Sequence, residues 1–323
     1  MATAKAYTNI ALVKYWGKKD AKLIIPQTDS LSLTLNEFYT TTTVKFNSQL
    51  NHDIVKVDER FLDKEDAAKV IHVLNIVRSL SKTNSFAEVT SINNVPTAAG
   101  LASSASAFAA LAGAASTAAG LHLSRRELSR LARRGSGSAT RSIYGGLVEW
   151  QKGTDDASSF AKPIDEDVDF PIEMLAVLIN TKKKKISSRS GMQLSVSTSP
   201  YYKAWQEVVA HDMVAIKRAI KEKDINKIGH IAEENALRMH ALTLSADPAF
   251  TYFNGETLMI INAVEDLRNH GINCYYTMDA GPNVKIIYDH KDRDKIVTRL
   301  TDIIDSDRLV VSQPGPGIKI WNE

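Results

Sequence analysis

Asp279 closes the apolar run Cys274 to Met278 and opens the turn Asp279-Ala280-Gly281-Pro282, a rigid place from which one carboxylate could orient or deprotonate a hydroxyl. Turn chemistry alone favours reading the same Asp as a turn former. Arg141 ends the run Gly135-Ser136-Gly137-Ser138-Ala139-Thr140-Arg141, where a planar guanidinium can grip a carboxylate through two parallel hydrogen bonds or simply sit on the surface. The densest signal is Pro96-Thr97-Ala98-Ala99-Gly100-Leu101-Ala102-Ser103-Ser104-Ala105. Bulk is excluded along its whole length, so the backbone can approach a phosphate, and free N–H groups, serine hydroxyls and a helix dipole would stabilise the anion. No Walker lysine follows, and no G-x-G-x-x-G succeeds a strand, which removes the P-loop and dinucleotide-binding alternatives. An Ala-rich helix with ordinary serine caps is the bland alternative.

These groups need elements to hold them. Ile10 and Leu12 fall on one face of an alternating first strand that runs into the polar-aromatic loop Lys14-Tyr15-Trp16-Gly17-Lys18. Strands are predicted over Thr41 to Phe46, Ile54 to Val57 and Ala87 to Ile92, with a helix opened by Asp63 that carries Val70, Leu74 and Val77 on one stripe. The turn Asn94-Val95-Pro96 leads to a helix from about Ser103 to Ala119, with Phe108, Leu111 and Ala115 on one face and Gly120 as its stop. Ser124 and Glu127 form a capping box for a short helix ending in Arg133, Arg134 and Gly135, after which 135–138 reads as a tight loop. The second half passes from a strand over Leu175 to Ile179 through the basic run Lys182 to Lys185 into helices. Val209, Met213, Ile216 and Ile220 mark one helix, Ile225, Ile228 and Ala232 a second, and Ile260, Val264 and Leu267 a third that Gly271 stops. The strands Cys274 to Met278 and Val284 to Tyr288 then form a hairpin.

At 323 residues, 44% apolar and 24% charged, the chain suits an α+β fold of one large unit or two intimately packed lobes. A net charge of +3, spread evenly, gives no argument for nucleic acid. One cysteine, Cys274, excludes an internal disulfide framework, and the start lacks a signal peptide or membrane span, so a cytosolic protein is predicted. Eight scattered histidines at no zinc spacing predict no metal site built by the protein, so a metal would arrive with a nucleotide.

The small-residue loop 96–105 resembles the phosphate-binding loop of the GHMP kinases, which handle ATP without a Walker lysine. Asn9-Ile10-Ala11-Leu12-Val13-Lys14-Tyr15-Trp16-Gly17-Lys18, the segment 135–141 and Met278-Asp279-Ala280-Gly281-Pro282-Asn283 resemble, more narrowly, the mevalonate diphosphate decarboxylases. The motifs recur in that family's order over nearly the whole chain. The resemblance implies the GHMP kinase fold, two α/β lobes around a deep central cleft, here drawn as 1–180 with the ATP loop and 181–323 with the catalytic aspartate. It further implies a cytosolic, typically homodimeric enzyme that binds ATP, Mg²⁺ and mevalonate diphosphate, phosphorylates the tertiary alcohol, and releases phosphate and carbon dioxide to give isopentenyl diphosphate.

By the same resemblance Asp279, Arg141 and Ser188 are the catalytic residues. Tyr15, Trp16, Gly17, Lys18, Ser136, Gly137, Ser138, Ala139, Thr140, Arg141, Arg189 and Met192 surround the substrate, and Asn94, Pro96, Ala99, Gly100, Leu101, Ala102, Ser103, Ser104 and Ser106 surround ATP. Lys14 and Trp16 read equally as a packed corner with a snorkelling amine. One lysine of 182–185 could close over the ATP phosphates, and Ser104 could help hold Mg²⁺. A related kinase of mevalonate or its phosphate, and a GHMP-fold sensor without turnover, are the rival readings; Asp279 beside the phosphate loop argues against the sensor.

Overall fold

The computed structural model describes residues 1–94, 103–179 and 186–322. Pro96, Ala99, Gly100, Leu101, Ala102 and Lys182 to Lys185 therefore lie outside the described residues, as does the side chain of Ser103. The first part runs β1 (Ala2–Val13), β2 (Lys18–Asp20), β3 (Ile25–Pro26), β4 (Ser30–Asn47), β5 (Ile54–Val57), β6 (Arg60–Phe61), α1 (Ala68–Ser81), β7 (Phe86–Asn94), α2 (Ser103–Ala118), α3 (Arg125–Gly135), a 3-10 helix (Gly137–Ile143), β8 (Leu147–Gln151) and β9 (Phe160–Asp165). The second continues with β10 (Ile172–Val177), α4 (Ser188–Thr198), α5 (Tyr202–Lys221), α6 (Ile225–Leu244), α7 (Gly255–Asn269), β11 (Cys274–Met278), β12 (Val284–Asp289), α8 (Arg293–Thr301), β13 (Leu309–Ser312) and β14 (Lys319–Asn322).

Two sheets organise these elements. The larger has the order β14-β1-β4-β7-β5-β6, with β8 on β4 and β9 on β8; the smaller is β11-β12-β10-β13. Alanines let α2 lie close on β1 and β4, where Ala109, Ala112 and Ala115 share a core with Ala4, Ala6 and Val44, and with Val73, Leu74 and Val77 of α1. A second core joins the sheets through α5 and α6: Ile10, Leu12, Leu31 and Leu33 pack with Trp205, Val209, Met213, Ile228, Ala232 and Met239, and with Met174 and Ile287 of the smaller sheet. The outer face of that sheet is covered by Ile260, Val264 and Leu267 of α7 and Ile296 and Leu300 of α8. Among the described residues no helix is long and apolar enough to cross a membrane.

The alternation expected of the first strand is absent, because β1 is covered on both sides and only Lys5 is more than slightly exposed. Ala4 and Ala6 belong to one core and Ile10 and Leu12 to the other although all four are even-numbered. The pairing with β4 is irregular between Tyr7 and Asn9, and the faces exchange across that point. One result is functional: Asn9 and Ala11 both turn toward the cleft described below.

Other boundaries differ for local reasons. Asp63 accepts from the N–H groups of Glu65 and Asp66 in a turn, and α1 begins only at Ala68. The capping box of Ser124 and Glu127 is present at the start of α3. Gly135 is not a left-handed stop, since the residue that caps α3 is Ser136 in an extended conformation. Glycine is required there because a Cβ would sit 2.1 Å from the Phe108 ring. Nor is 135–138 a loop: the 3-10 helix takes Gly137 to Ile143, so Thr140 and Arg141 point inward from it.

Glu173 of β10 anchors the smaller sheet to the chain that follows it, bonding Arg293, His290 (2.8 Å) and Gln313 (3.0 Å) while only 1% exposed. Burial works against its charge, but these partners outweigh it and hold the carboxyl down at about 2. A depressed carboxyl stabilises the fold in full above its unfolded value of 4.5, and the contribution fades as pH falls toward 2. Glu173→Gln is expected to lower the melting temperature at pH 7 and to flatten its acid dependence between pH 4.5 and 2, read by thermal unfolding.

Candidate active site

A cleft of about 510 Å³ opens where the larger sheet, the 3-10 helix, α4, α6 and the β11–β12 turn meet. Three segments distant in sequence supply its chemistry. Residues 14–17 leave β1 without regular structure, and Gly17 turns them at φ +122°, a conformation in which a side chain would be strained. Tyr202 of α5 donates to the Trp16 carbonyl at 2.9 Å, so close that a Cβ on Gly17 would strike its hydroxyl. Gly17 is thus a shaping residue rather than a contact. Trp16 packs edge-on to Tyr252 and Tyr15 tilts against Trp150. Both polar tips, Tyr15 Oη and Trp16 Nε1, are buried without a hydrogen-bond partner among the described residues. Burial pushes the Tyr15 phenol up despite Arg141 and Arg189, which keeps it a proton donor.

Lys14 is no snorkelling surface amine. It is 2% exposed, and its ammonium reaches the Ala11 carbonyl at 2.7 Å and Asp279 Oδ1 at 2.9 Å. Asp279 follows β11, is 26% exposed toward the cleft, and meets Lys285 of β12 through Oδ2 at 3.3 Å. Burial raises the tendency of Asp279 to hold a proton, but Lys14 and Lys285 overcome it and keep the carboxylate well below its usual range. Burial lowers Lys14 to about 8, against the upward pull of Asp279. His240 of α6 stands behind this group, driven neutral by burial and by Lys14, with a value near about 3.

Arg141 is 2% exposed and is fixed by neutral groups alone: Nε donates to Ser32 Oγ (2.9 Å) and Asn9 Oδ1 (3.2 Å), and Nη1 donates to Ser30 Oγ (2.6 Å). None of these bonds uses Nη2. Burial lowers it to about 10, still fully protonated near neutrality. A buried guanidinium aimed into a cleft without an ion-pair partner among the described residues is suited to an incoming carboxylate.

Lys18, Lys69 and Arg189 also line the cleft. Burial first, then repulsion by Arg189 and Lys69, lowers Lys18; burial and Arg189 lower Lys69. Cations grouped without an acidic partner among the described residues suit an anion of several charges. The hydroxyls of Ser104, Ser136 and Ser138 chain together at 3.2 Å per step beside them. Gly137 lies directly under Tyr15, where a Cβ would come within 2.7 Å of the ring. Gly137→Ala is therefore expected to displace Tyr15 and raise the KM of an anionic substrate about 10-fold with kcat little changed, in steady-state assays.

Ser188 and Arg189 begin α4, capped by Ser187 accepting from the Ser190 N–H at 3.0 Å, and both line the cleft with the buried Met192. Ala139 and Thr140 do not line it; the Thr140 hydroxyl donates to the Gly137 carbonyl at 2.6 Å and shapes the turn from behind. Ser106 is buried with Thr40 and Thr8, and Asn94 donates to the Glu37 carbonyl at 3.1 Å, so neither faces the described cleft. Sequence reasoning passed over Lys69, Lys285 and the Asn9, Ser30 and Ser32 cradle of Arg141. A charged residue inside the apolar strand 284–288 was the available signal for Lys285. An exposed helical lysine such as Lys69 offered none.

A mixed sheet and an antiparallel sheet layered with helices around a cationic, glycine- and serine-lined cleft define the GHMP class of small-molecule kinase folds. Residues 6–161 match the family model for the diphosphomevalonate decarboxylase-like N-terminal domain, and residues 174–313 match that for the mevalonate 5-diphosphate decarboxylase C-terminal domain. A diphosphomevalonate decarboxylase of Ganoderma lucidum is 38% identical, over 93% of this chain and 80% of its own length. The mevalonate diphosphate decarboxylase from Staphylococcus aureus is 45% identical with a TM-score of 0.96, covering 100% of this chain and 99% of that one. A protein called MDDEF, solved in complex with MVAPP, AMPPCP and magnesium, is 46% identical with a TM-score of 0.96 over the same shares. The chain belongs to the diphosphomevalonate decarboxylase family.

Proposed function

We propose that this protein catalyses the ATP-dependent decarboxylation of mevalonate 5-diphosphate to isopentenyl diphosphate, ADP, phosphate and carbon dioxide. The observation that carries it is the pairing, in one cleft, of a doubly held carboxylate at Asp279 with a buried guanidinium at Arg141 that has no anion of its own. A kinase needs the first. A substrate that must also lose its carboxylate gives a use to the second.

The diphosphate fits the wall of Lys18, Lys69 and Arg189, with Tyr15 and the serines Ser136 and Ser138 as neutral donors. Asp279 accepts a hydrogen bond from the tertiary hydroxyl. Because two lysines keep it ionised, it orients that oxygen first and takes the proton only as the bond to the γ-phosphorus of ATP forms. The new phosphate ester is the leaving group: its C–O bond breaks while the C–C bond to the carboxylate supplies the electron pair of the alkene, freeing carbon dioxide. Arg141 holds that carboxylate in line and, remaining protonated near neutrality, does not quench the developing electron density. Ser188, which lines the same cleft, is the hydroxyl assigned to donate to the transferring phosphoryl group.

The donor set fits a metal that arrives with the nucleotide. Among the described residues no cluster of three or more acidic, His or Cys groups could hold one, and Asp279 is already held by two ammoniums. Phosphate oxygens, with the Ser104 hydroxyl as a candidate, would hold Mg²⁺, which neutralises phosphate charge when bound. A similar chain solved with MVAPP, AMPPCP and magnesium supports both co-substrates. A cytosolic homodimer belongs to the same proposal, supported by the lone thiol Cys274 and by the family resemblance respectively. The division into lobes 1–180 and 181–323 does too, supported by separate cores behind the two sheets, with β10 and β14 crossing between them.

The substrate is tested by following ADP release with mevalonate, its 5-phosphate and its 5-diphosphate under equal conditions. A kcat/KM about 10²-fold or more in favour of the diphosphate is expected, since two further charge-assisted contacts are at stake. Preference for either smaller compound would reassign the protein to a kinase of that compound.

A further inference from the structure

Lys285 is the second residue of β12 and is 1% exposed in a strand where Val284, Ile286, Ile287 and Tyr288 are fully buried. Alternation sends Val284, Ile286 and Tyr288 to the core under α7 and α8, and puts Lys285 with Ile287 on the face toward α6. An aliphatic side chain there would extend the core. An ammonium instead loses its water, a large penalty that only a good partner offsets. It donates to the Asn283 carbonyl at 3.3 Å and makes an ion pair, without hydrogen-bond geometry, with Asp279 Oδ2 at 3.3 Å. Asp279 is already neutralised by Lys14 at 2.9 Å, so Lys285 is a second cation on one carboxylate. The fold gains nothing from that surplus charge.

The geometry offers a reason. Oδ2 is shut away from solvent while the Asp279 side chain as a whole is 26% exposed, so Oδ1 is the oxygen that faces the cleft. A carboxylate held by Lys14 alone could rotate and exchange its two oxygens. We infer that Lys285 is a positioning residue for phosphoryl transfer, which pins Oδ2 inward so that Asp279 presents Oδ1 alone to the substrate hydroxyl. It acts through Asp279 and touches no substrate atom. Its surplus charge is balanced only when the anionic substrate enters, so this inference rests on the function proposed above. Among the described residues the charged and titratable groups coupled to Asp279 are Lys14 just past β1, Lys285 from β12, Arg141 from the 3-10 helix and His240 from α6.

Lys285→Met keeps an unbranched side chain one atom shorter and removes the charge. The full chain carrying it is expected to melt at the wild-type temperature or above, while kcat for ADP formation falls about 10²-fold, the usual cost of a misplaced catalytic group, with KM for both substrates unchanged. The acid limb of its kcat profile moves to higher pH, because one of the two ammoniums that keep Asp279 ionised is gone. Lys285→Arg restores the charge and recovers part of both. Unchanged kcat and an unchanged acid limb would overturn the inference. So would a Lys285→Met protein that fails to fold, or one whose rate falls only in step with its folded fraction, since either makes the lysine a structural residue. Wild type run in parallel separates the two levels: no ADP from wild type defeats the proposed function. In that event titration of Asp279 by carbon NMR, expected to move up in Lys285→Met, still decides the positioning role.

Discussion

Asp279→Asn is expected to fold, to bind both substrates and to release ADP about 10³-fold more slowly than wild type, within the range for loss of a positioned acid–base group. The substitution keeps the shape that Lys14 and Lys285 hold, but removes the charge that orients the hydroxyl and finally takes its proton. Two consequences set it apart from simple damage. With their anion gone, Lys14 and Lys285 leave the cleft more positive, so KM for the diphosphate stays level or drops. Lys14 also loses the neighbour that holds its proton on, so its value falls further below about 8 and the alkaline limb of substrate binding moves to lower pH. Stability falls as well, because two desolvated ammoniums are left with no carboxylate. A thermal melt beside the steady-state parameters separates these effects. A variant that retains wild-type kcat would remove Asp279 from the chemistry.

Arg141→Lys is the second large effect, and the conservative label is misleading. Three hydrogen bonds to Ser30, Ser32 and Asn9 use the guanidinium as a rigid fork, which a single ammonium cannot reproduce. Burial already lowers the arginine to about 10, and an ammonium starts from a lower ordinary value, so the same burial would carry it nearer to neutrality. The expected outcome is a loss in kcat of about 10²–10³-fold, the scale set by removing one pre-organised charge stabiliser. Carbon dioxide release should suffer at least as much as ADP release. Rapid-quench measurement of both products shows it: ADP running ahead of carbon dioxide in the variant would mark Arg141 as acting after phosphorylation. A rise in KM alone, with kcat intact, would reduce Arg141 to a binding residue.

Much of the site was legible because its chemistry lies on contiguous stretches. Lys14 to Lys18, Gly135 to Arg141 and Met278 to Asn283 each combine glycine with polar groups, and the structure brings residues of all three to one cleft. The hairpin of β11 and β12 and the helices α5, α6 and α7 followed from periodicity for the same reason: the pattern is local. What escaped was long-range. Lys285 gains its meaning only from the approach to β12 of the segment that follows β1, which sets Lys14 and Lys285 on the two oxygens of one carboxylate. Ser30 and Ser32 look like ordinary strand serines until the 3-10 helix places Arg141 over them. The short strand β14 was equally invisible, since its partner β1 lies at the other end of the chain. The supposed stop at Gly135 failed differently: the pattern was right, but its cause was the Phe108 ring rather than a backbone conformation.

The central claim is that one cleft phosphorylates and then decarboxylates the same substrate. Purified protein given ATP, Mg²⁺ and carboxyl-labelled mevalonate diphosphate should release ADP, phosphate and labelled carbon dioxide in equal amounts throughout the progress curve. ADP accumulating without carbon dioxide, the label staying on a phosphorylated acid, would contradict it.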